Sequence, residues 1–588
     1  RVVRAAPTPA ASASARRALT CAVMTSNLEI ARSIKPRPIA ELAAGLGLVD
    51  DEWAPYGRFA AKIEPEALAR RRGAKLGKLI LVTAITPTPL GEGKTTTTVG
   101  LTQGLARIGA KAACTLRQPS LGPVFGIKGG GAGGGYSQVV PMDLLNLHLT
   151  GDLHAVGAAH NLASAFLDNH LHHGNELGID AGSVTWPRVV DMNDRALRKS
   201  VIGLGGKANL PAREEEWWIT TASEVMAILA LAENVLDLRA RLGRVVVGST
   251  RDGVRVTLDD LEVAGAMTAL LHDAIKPNLM QTVEGCPAFI HAGPFANIAH
   301  GCSSVVADRV ALQLADYVCT EAGFGMDMGG EKFFDIKCRQ SGLRPAAAVI
   351  VATVRALKMH GGVGKIVAGK PLDPALAAEN VDAVRRGGEN LAKQIENLRE
   401  FGVPAIVALN AFPTDTPAEF AALREVALAA GAEDAVAATH FADGGKGAES
   451  LAKAVQAVVE RGDATPRLLY EDDLPLKAKI EAIATRIYGA DGVDFAPAAS
   501  AKLAEFERAG FGKLSVCMAK TQYSISHDAA RKGRPSGFLL PVSDVRLLAG
   551  AGFVTVIAGN MQLMPGLPSH PAGASIDVDA RGDVVGLY

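Results

Sequence analysis

One strand–loop–helix junction constrains the fold more than any other stretch of this sequence. The apolar run LILVTAIT (79–86) reads as a buried strand, and it passes straight into TPTPLGEGKTTTT (86–98), which opens a helix reaching about residue 108. Gly91 and Gly93 let the backbone turn its N–H groups toward phosphates at the helix N-terminus. Lys94 supplies a point charge for the β- and γ-phosphates, and the Thr95 hydroxyl can ligate Mg²⁺. The pattern predicts an ATP-type P-loop formed by Thr88, Pro89, Leu90, Gly91, Glu92, Gly93, Lys94 and Thr95. Thr88 stands where the usual pattern has its first glycine, but an ordinary glycine-rich turn has no reason to carry Lys-Thr at this offset.

A loop of this kind is mounted on a parallel sheet. From residue 78 the chain alternates short apolar runs with amphipathic stretches, the pattern of βα units. Strands are expected at 112–117, 245–248, 348–353, 405–409 and 554–557, and helices at 223–242, 381–401 and 417–430. With 63 glycines in 588 residues and only 5% aromatics, close helix-on-sheet packing is favoured over an aromatic-rich sandwich. Proline-rich breaks at 371–374 and 465–475 set the expected edges. The expectation is an α/β protein, a P-loop NTPase-like parallel sheet core with additional smaller α/β domains: a P-loop domain at 25–372, an α/β domain at 373–470 and a C-terminal domain at 471–588.

Other signals narrow the function. Lys plus Arg equals Asp plus Glu at 61 each, so no general attraction to nucleic acid or anionic membrane is expected and any anion site must be local. Apolar stretches such as 346–354 fall far short of the roughly 20 residues a membrane-spanning helix needs. Seven scattered cysteines without a C-x-x-C pair signal neither a disulfide framework nor a zinc site, which suits a reducing compartment. Residues 1–24 carry Arg1, Arg4, Arg16 and Arg17 among Ala, Ser, Thr and Pro, with no acid before Glu29, and read as a transit peptide, the alternative being a disordered basic tail of the same composition. The expected location is therefore the mitochondrion or chloroplast, or the cytoplasm if the leader is not functional. His148, His154, His160, His170, His172 and His173 cluster, but at irregular spacings that fit structural histidines better than a metal site. GLGGKAN (203–209) lacks the complete dinucleotide-binding pattern.

Arg117 ends the second expected strand, and ligands of open α/β sheets collect beyond such carboxyl ends. Its guanidinium can bind a planar carboxylate and the acyl phosphate formed from it. Six glycines then fall between 129 and 135. They permit close backbone approach to a ligand or form a flexible linker, and the neighbouring Lys128 and Tyr136 favour the first reading.

These strings, together with NLHLTGD (146–152), HAGPFANIAHG (291–301), VATVRALKMHGG (351–362), NAFPTDT (410–416) and MPGLP (564–568), make the chain resemble formate–tetrahydrofolate ligases, the 10-formyltetrahydrofolate synthetases, from about residue 27 to 588. The resemblance implies that formate attacks the γ-phosphate of Mg-ATP and that the resulting formyl phosphate formylates N10 of tetrahydrofolate. It implies Lys94 and Arg117 as catalytic charges, and Asp152 as a residue that positions Mg²⁺ or the amine, its alternative being a helix N-cap. It places nucleotide and formate on 25–372 and the folate on 373–470, with the pterin between Phe412, beside Pro413, and Phe441, and with Phe295 lining the site. It further implies a homodimer or homotetramer and activation by a monovalent cation, K⁺ or NH₄⁺, without assigning its ligands.

The sequence departs from the family at several places. Phe441 stands where many members have Trp, Gly131 where Ala is usual, Gln118 where many bacterial members have Glu, and Met326 and Met328 lie in FGMDMGGEKF. The 170–186 link is also short compared with the insertion expected of animal trifunctional synthetases. Two alternatives remain: another carboxylate-activating P-loop ligase, and a nucleotide-dependent switch. A GTPase switch needs N-K-x-D, and the nearest string, beginning at Asn410, lacks the lysine.

Overall fold

The computed structural model describes residues 26–587 apart from 129, 210, 368–370 and 560. The leader reading of 1–24 and Gly129 of the glycine run lie outside the described residues.

Twelve strands form one sheet: β1 (Trp53–Tyr56), β2 (Ala60–Ile63), β3 (Lys78–Ala84), β4 (Ala112–Leu116), β5 (Gly133–Gly134), β6 (Ser137–Val140), β7 (Asn278–Thr282), β8 (Pro287–Ile290), β9 (Tyr317–Glu321), β10 (Pro345–Ala352), β11 (Ala405–Asn410) and β12 (Asp434–Ala438). Their spatial order is β1-β2-β7-β8-β4-β9-β3-β10-β11-β12, with β6 joined to β7 and β5 to β6. The run from β8 to β12 is parallel throughout. The β1, β2, β5, β6 and β7 side is antiparallel.

Strands covered on both faces read as continuous apolar runs, which is why 79–86 and 348–353 stood out in the sequence. Successive side chains still point to opposite faces. Leu79 and Leu81 of β3 join one apolar cluster with Ile350 and Val407, while Ile80 and Val82 join the other with Val349 and Ile406. The helices Lys94–Arg107, Val381–Glu400 and Pro417–Ala429 form where the spacing predicted.

Four expectations need correction. The stretch 223–242 is two helices, Glu224–Leu231 and Val235–Gly243, because the Asn234 side chain accepts the Leu236 and Asp237 N–H groups and caps a second helix there. The 245–248 run lies outside the large sheet, as Val246–Ser249 paired antiparallel with Arg255–Thr257. The 554–557 run belongs to a separate sheet of Ser515–Ala519, Phe553–Ile557 and Asp544–Leu548. Finally, among the described residues the 373–470 segment has no sheet of its own, since β11 and β12 continue the one that carries β3. The 471–588 segment does carry its own small sheets, although Val516 and Phe553 pack into the same apolar cluster as Leu79.

Candidate active site

Every parallel strand delivers its carboxyl end to one edge, and the candidate residues follow from that. The loop after β3 turns at Gly93, whose φ of 80° is left-handed and therefore suits glycine, and Lys94 is the first residue of the helix. A Cβ on Gly93 would meet Asn410 Nδ2 at 2.6 Å, so the loop is pressed against the end of β11. Asn410 donates to the Glu92 carbonyl at 3.1 Å. The Glu92 carboxylate accepts the Thr88 N–H at 2.8 Å and the Thr353 hydroxyl at the end of β10. At the loop entrance, Thr86 N–H donates to Asn390 Oδ1 at 3.1 Å, and Asn390 Nδ2 returns a bond to Thr86 Oγ1 at 2.9 Å. His360 Nδ1 accepts the Gly533 N–H, so its Nε2 is the nitrogen that donates to the Thr86 carbonyl at 2.9 Å. Burial holds this imidazole below its ordinary pKa and hence neutral. The backbone that would bind phosphate is thus fixed by protein groups alone.

Arg117 follows β4, and between β4 and β3 lies β9, a strand the sequence reading missed. Its last residue, Glu321, is 3% exposed. Glu321 Oε2 accepts the Thr95 hydroxyl at 2.7 Å, and Oε1 lies 3.5 Å from Arg117 Nε. One carboxylate therefore joins the helix that starts at Lys94 to the arginine two strands away. Arg117 also donates to the Pro294 carbonyl at 3.3 Å, which places Phe295 beside it. The Phe295 ring packs with Ile219, Ala222, Ile298 and Ala519. The signal for Glu321 was modest: a short strand, YVCTE, ending in an acid.

Asp152 is not the helix cap; Gly151 is, and Asp152 opens the helix Asp152–His172. Its carboxylate accepts from Lys62 at 2.6 Å, Asn278 at 2.7 Å and Thr150 at 3.1 Å. Both oxygens are engaged by protein groups, on the side where the sheet becomes antiparallel.

Phe412 follows β11 and Phe441 follows β12, so neighbouring strands bring the two rings to the same edge. They make no ring–ring contact, and each has protein behind it. Arg355 lies over the Phe412 ring, its Cζ 4.0 Å from the centroid. Pro413 adjoins this ring in sequence. Phe441 sits in the short helix His440–Asp443 and rests on the glycine run. A Cβ on Gly134 would lie 3.0 Å from the Phe441 ring, and one on Gly135 would strike the Phe441 carbonyl at 2.0 Å. Tyr136 N–H donates to that carbonyl at 2.8 Å.

The glycines therefore allow close approach of protein to protein. Cβ atoms on Gly130, Gly131 and Gly133 would meet Asn146, Pro119 and Ser137. The 440–448 segment is in turn held on the helix Lys94–Arg107. His440 shares a hydrogen bond with Thr97 at 3.1 Å, and a Cβ on Gly100 would meet His440 Cβ at 2.6 Å. Burial pushes His440 down to about 4, so the ring is neutral.

The histidine cluster spends itself structurally at two members. His160 stacks on Trp186 at 4.0 Å and meets the Pro187 carbonyl, and His170 accepts the Leu177 N–H. The six described cysteines are free and buried, and no helix of the described residues is long and apolar enough to cross a membrane.

These features define an α/β protein that gathers its candidate site residues along the carboxyl edge of a mostly parallel sheet. The sequence profile of the family described as formate–tetrahydrofolate ligase matches residues 25–588. The chain is 59% identical to the formate–tetrahydrofolate ligase of Roseiflexus sp. (strain RS-1), over 96% of this chain and 100% of that one. It is 58% identical to that of Saccharopolyspora erythraea, over 96% and 99%, and 55% identical to that of Cutibacterium acnes, over 96% and 100%. The chain belongs to the formate–tetrahydrofolate ligase family. These relatives are bacterial and the family match starts at residue 25, so they lend no support to an organellar reading of 1–24.

Proposed function

We propose that this protein ligates formate to N10 of tetrahydrofolate, converting ATP to ADP and phosphate, through formyl phosphate. A formate oxygen attacks the γ-phosphorus and the bond to ADP breaks. N10 then attacks the formyl carbon, phosphate leaves, and the N10 proton is released. The observation that supports this reading is the Thr95–Glu321–Arg117 bridge, a hydroxyl, a carboxylate and a guanidinium gathered at the start of the helix after β3, chemistry that suits phosphoryl transfer from a nucleotide to a carboxylate.

In this reading the loop Thr88–Pro89–Leu90–Gly91–Glu92–Gly93–Lys94–Thr95 is a P-loop, and the parallel core is P-loop NTPase-like. Lys94 meets the β- and γ-phosphates. Arg117 receives the formate carboxylate and then the acyl phosphate, its fork suiting both planar anions. Thr95 and Glu321 form an oxygen donor set that fits Mg²⁺, which when bound neutralises phosphate charge. Phe412, Pro413 and Phe441 give the pterin a flat apolar site and Phe295 borders it near Arg117. Asp152 acts from behind by holding Lys62 and Asn278.

Formate labelled with ¹⁸O tests the intermediate. One label must appear in the released phosphate when ATP, formate and tetrahydrofolate are all present. Unlabelled phosphate rules formyl phosphate out, and ATP turnover indifferent to formate favours the switch reading.

Assembly as a homodimer or homotetramer and stimulation by K⁺ or NH₄⁺ belong to the same proposal. Sedimentation tests the assembly, and turnover with and without each cation tests the stimulation. The leader reading of 1–24 rests on composition, and import of a fluorescent protein fused to that segment tests it.

A further inference from the structure

Arg355 is the one residue of the VATVRALKMHGG stretch that reaches the aromatic site without a role so far. It lies on the first turn after β10, two residues beyond Thr353, whose hydroxyl holds Glu92 of the phosphate loop. On its other side its guanidinium lies over the Phe412 ring, with Cζ 4.0 Å from the ring centroid. Arg355 thus stands between the cradle and the folate shelf.

Its charge is uncommitted. Among the described residues no carboxylate forms an ion pair with Arg355, and its Nε is buried with no acceptor. Asp415 is the acid whose field it feels, but Asp415 accepts the Phe412 N–H at 2.8 Å and makes no hydrogen bond to Arg355. Lys358, on the same helix, is already paired with Glu419. A phenyl face attracts the cation but accepts none of its N–H groups as a carboxylate would, so the fork keeps its capacity for an oxyanion. Burying an N–H without an acceptor is costly, so the arrangement calls for an acceptor supplied from outside the chain.

We infer that Arg355 is a substrate-binding residue that takes an oxyanion of the molecule stacked on the free face of Phe412. The chemistry is a bidentate carboxylate or phosphate contact. Two sources carry it in the proposed reaction, the glutamate carboxylates of tetrahydrofolate and the phosphates of the nucleotide. The inference rests on the proposed function for the identity of these ligands. It adds that Phe412 is a one-sided shelf, since Arg355 covers its other face.

The test measures direct binding of MgADP and of tetrahydrofolate, mono- and triglutamylated, to wild type, Arg355→Met and Arg355→Lys. Met keeps an unbranched apolar stem on Phe412 and removes the charge, and Lys keeps the charge and removes the fork. Arg355→Met should weaken one ligand tenfold or more, with Lys only partly restoring it, while the other ligand and the melting temperature hold. Loss confined to folate identifies a carboxylate, and a triglutamate more affected than a monoglutamate places it on the tail. Loss confined to MgADP identifies a phosphate. Unchanged binding of both ligands overturns the inference, and so does parallel loss of both with lowered melting temperature, which marks a structural role. Wild-type turnover that ignores formate would instead defeat the proposed function, whatever Arg355 does.

Discussion

The cradle after β3 and the shelf after β11 and β12 sit on one sheet edge yet are built on different principles. The cradle is held by hydrogen bonds among buried polar groups: Asn390 on Thr86, Thr353 on Glu92, Asn410 on the Glu92 carbonyl and Glu321 on Thr95. The shelf adds close steric fit to its hydrogen bonds, with Phe441 on Gly134 and Gly135, His440 on Gly100 and Arg355 on Phe412. Phe441 is 42% exposed, whereas Glu321 is 3% exposed. A site meant for developing charge profits from dipoles already in place, because nothing then has to reorganise as charge moves. A site meant for a flat ring needs an open apolar face, and the ligand completes the packing.

That contrast can be broken from either side. The largest expected effect is Lys94→Ala, which removes a point charge from the cradle. Turnover should fall by about a hundredfold or more, with folate binding and melting temperature held. Steady-state kinetics with a folate-binding titration checks this, and near-wild-type turnover would end the cradle assignment.

Gly135→Ala attacks the shelf alone. Its φ of 57° disfavours a side chain, and the new Cβ would lie 2.0 Å from the Phe441 carbonyl. Displacing that carbonyl should cost roughly 1–3 kcal/mol and raise the folate constant about tenfold, leaving the MgATP constant near wild type. Equal losses in both constants would show that cradle and shelf are not separable.

Buried imidazoles make the fold pH-sensitive, and one of them, His440, sits at the joint between the two regions. His440 is held near 4 by burial, against 6.5 for a solvent-exposed imidazole, and His291 is likewise pushed down to about 4. Their stability is therefore fully present above about pH 6.5 and is lost as pH falls toward 4, because the unfolded chain takes up protons first. Denaturation midpoints should drop over that window, and His440→Asn should flatten part of the drop. A midpoint flat between pH 6.5 and 4.5 would contradict the buried neutral imidazoles.

The smallest effect is Phe441→Trp. With the ring 42% exposed, an indole can extend outward from the glycine seat instead of into it. Aromatic pairing is worth roughly 0.5–1.5 kcal/mol beyond area, so folate binding should tighten by up to about tenfold with ATP and formate constants unchanged. Phe441→Ala must weaken folate binding, and an unchanged constant would show that the ring never meets the pterin.

Local strings determined much of this protein. The strand–loop–helix at 79–108, the buried strands at 112–117, 348–353 and 405–409, and the helix 381–400 were legible because apolar periodicity and glycine placement act over a few residues. Lys94, Thr95 and Arg117 were singled out for the same reason, each at a fixed offset from a strand end, and their proposed roles rest on that placement. Phe412 and Phe441 were proposed only by resemblance, since two phenylalanines 29 residues apart look like core until neighbouring parallel strands bring them to one sheet edge.

What only the tertiary structure decided is which distant residues share an atom-to-atom contact. Strand order places β9 between β3 and β4, and that alone brings Glu321 to Thr95 and Arg117. Asp152 carries nothing in its sequence to predict Lys62 and Asn278 as partners, because both arrive through the antiparallel side of the sheet. The glycine run looked like a ligand cradle because glycine announces close approach without naming what approaches. Here Phe441 does, folded back from 300 residues later, and long-range packing of that kind leaves no periodic mark on the chain.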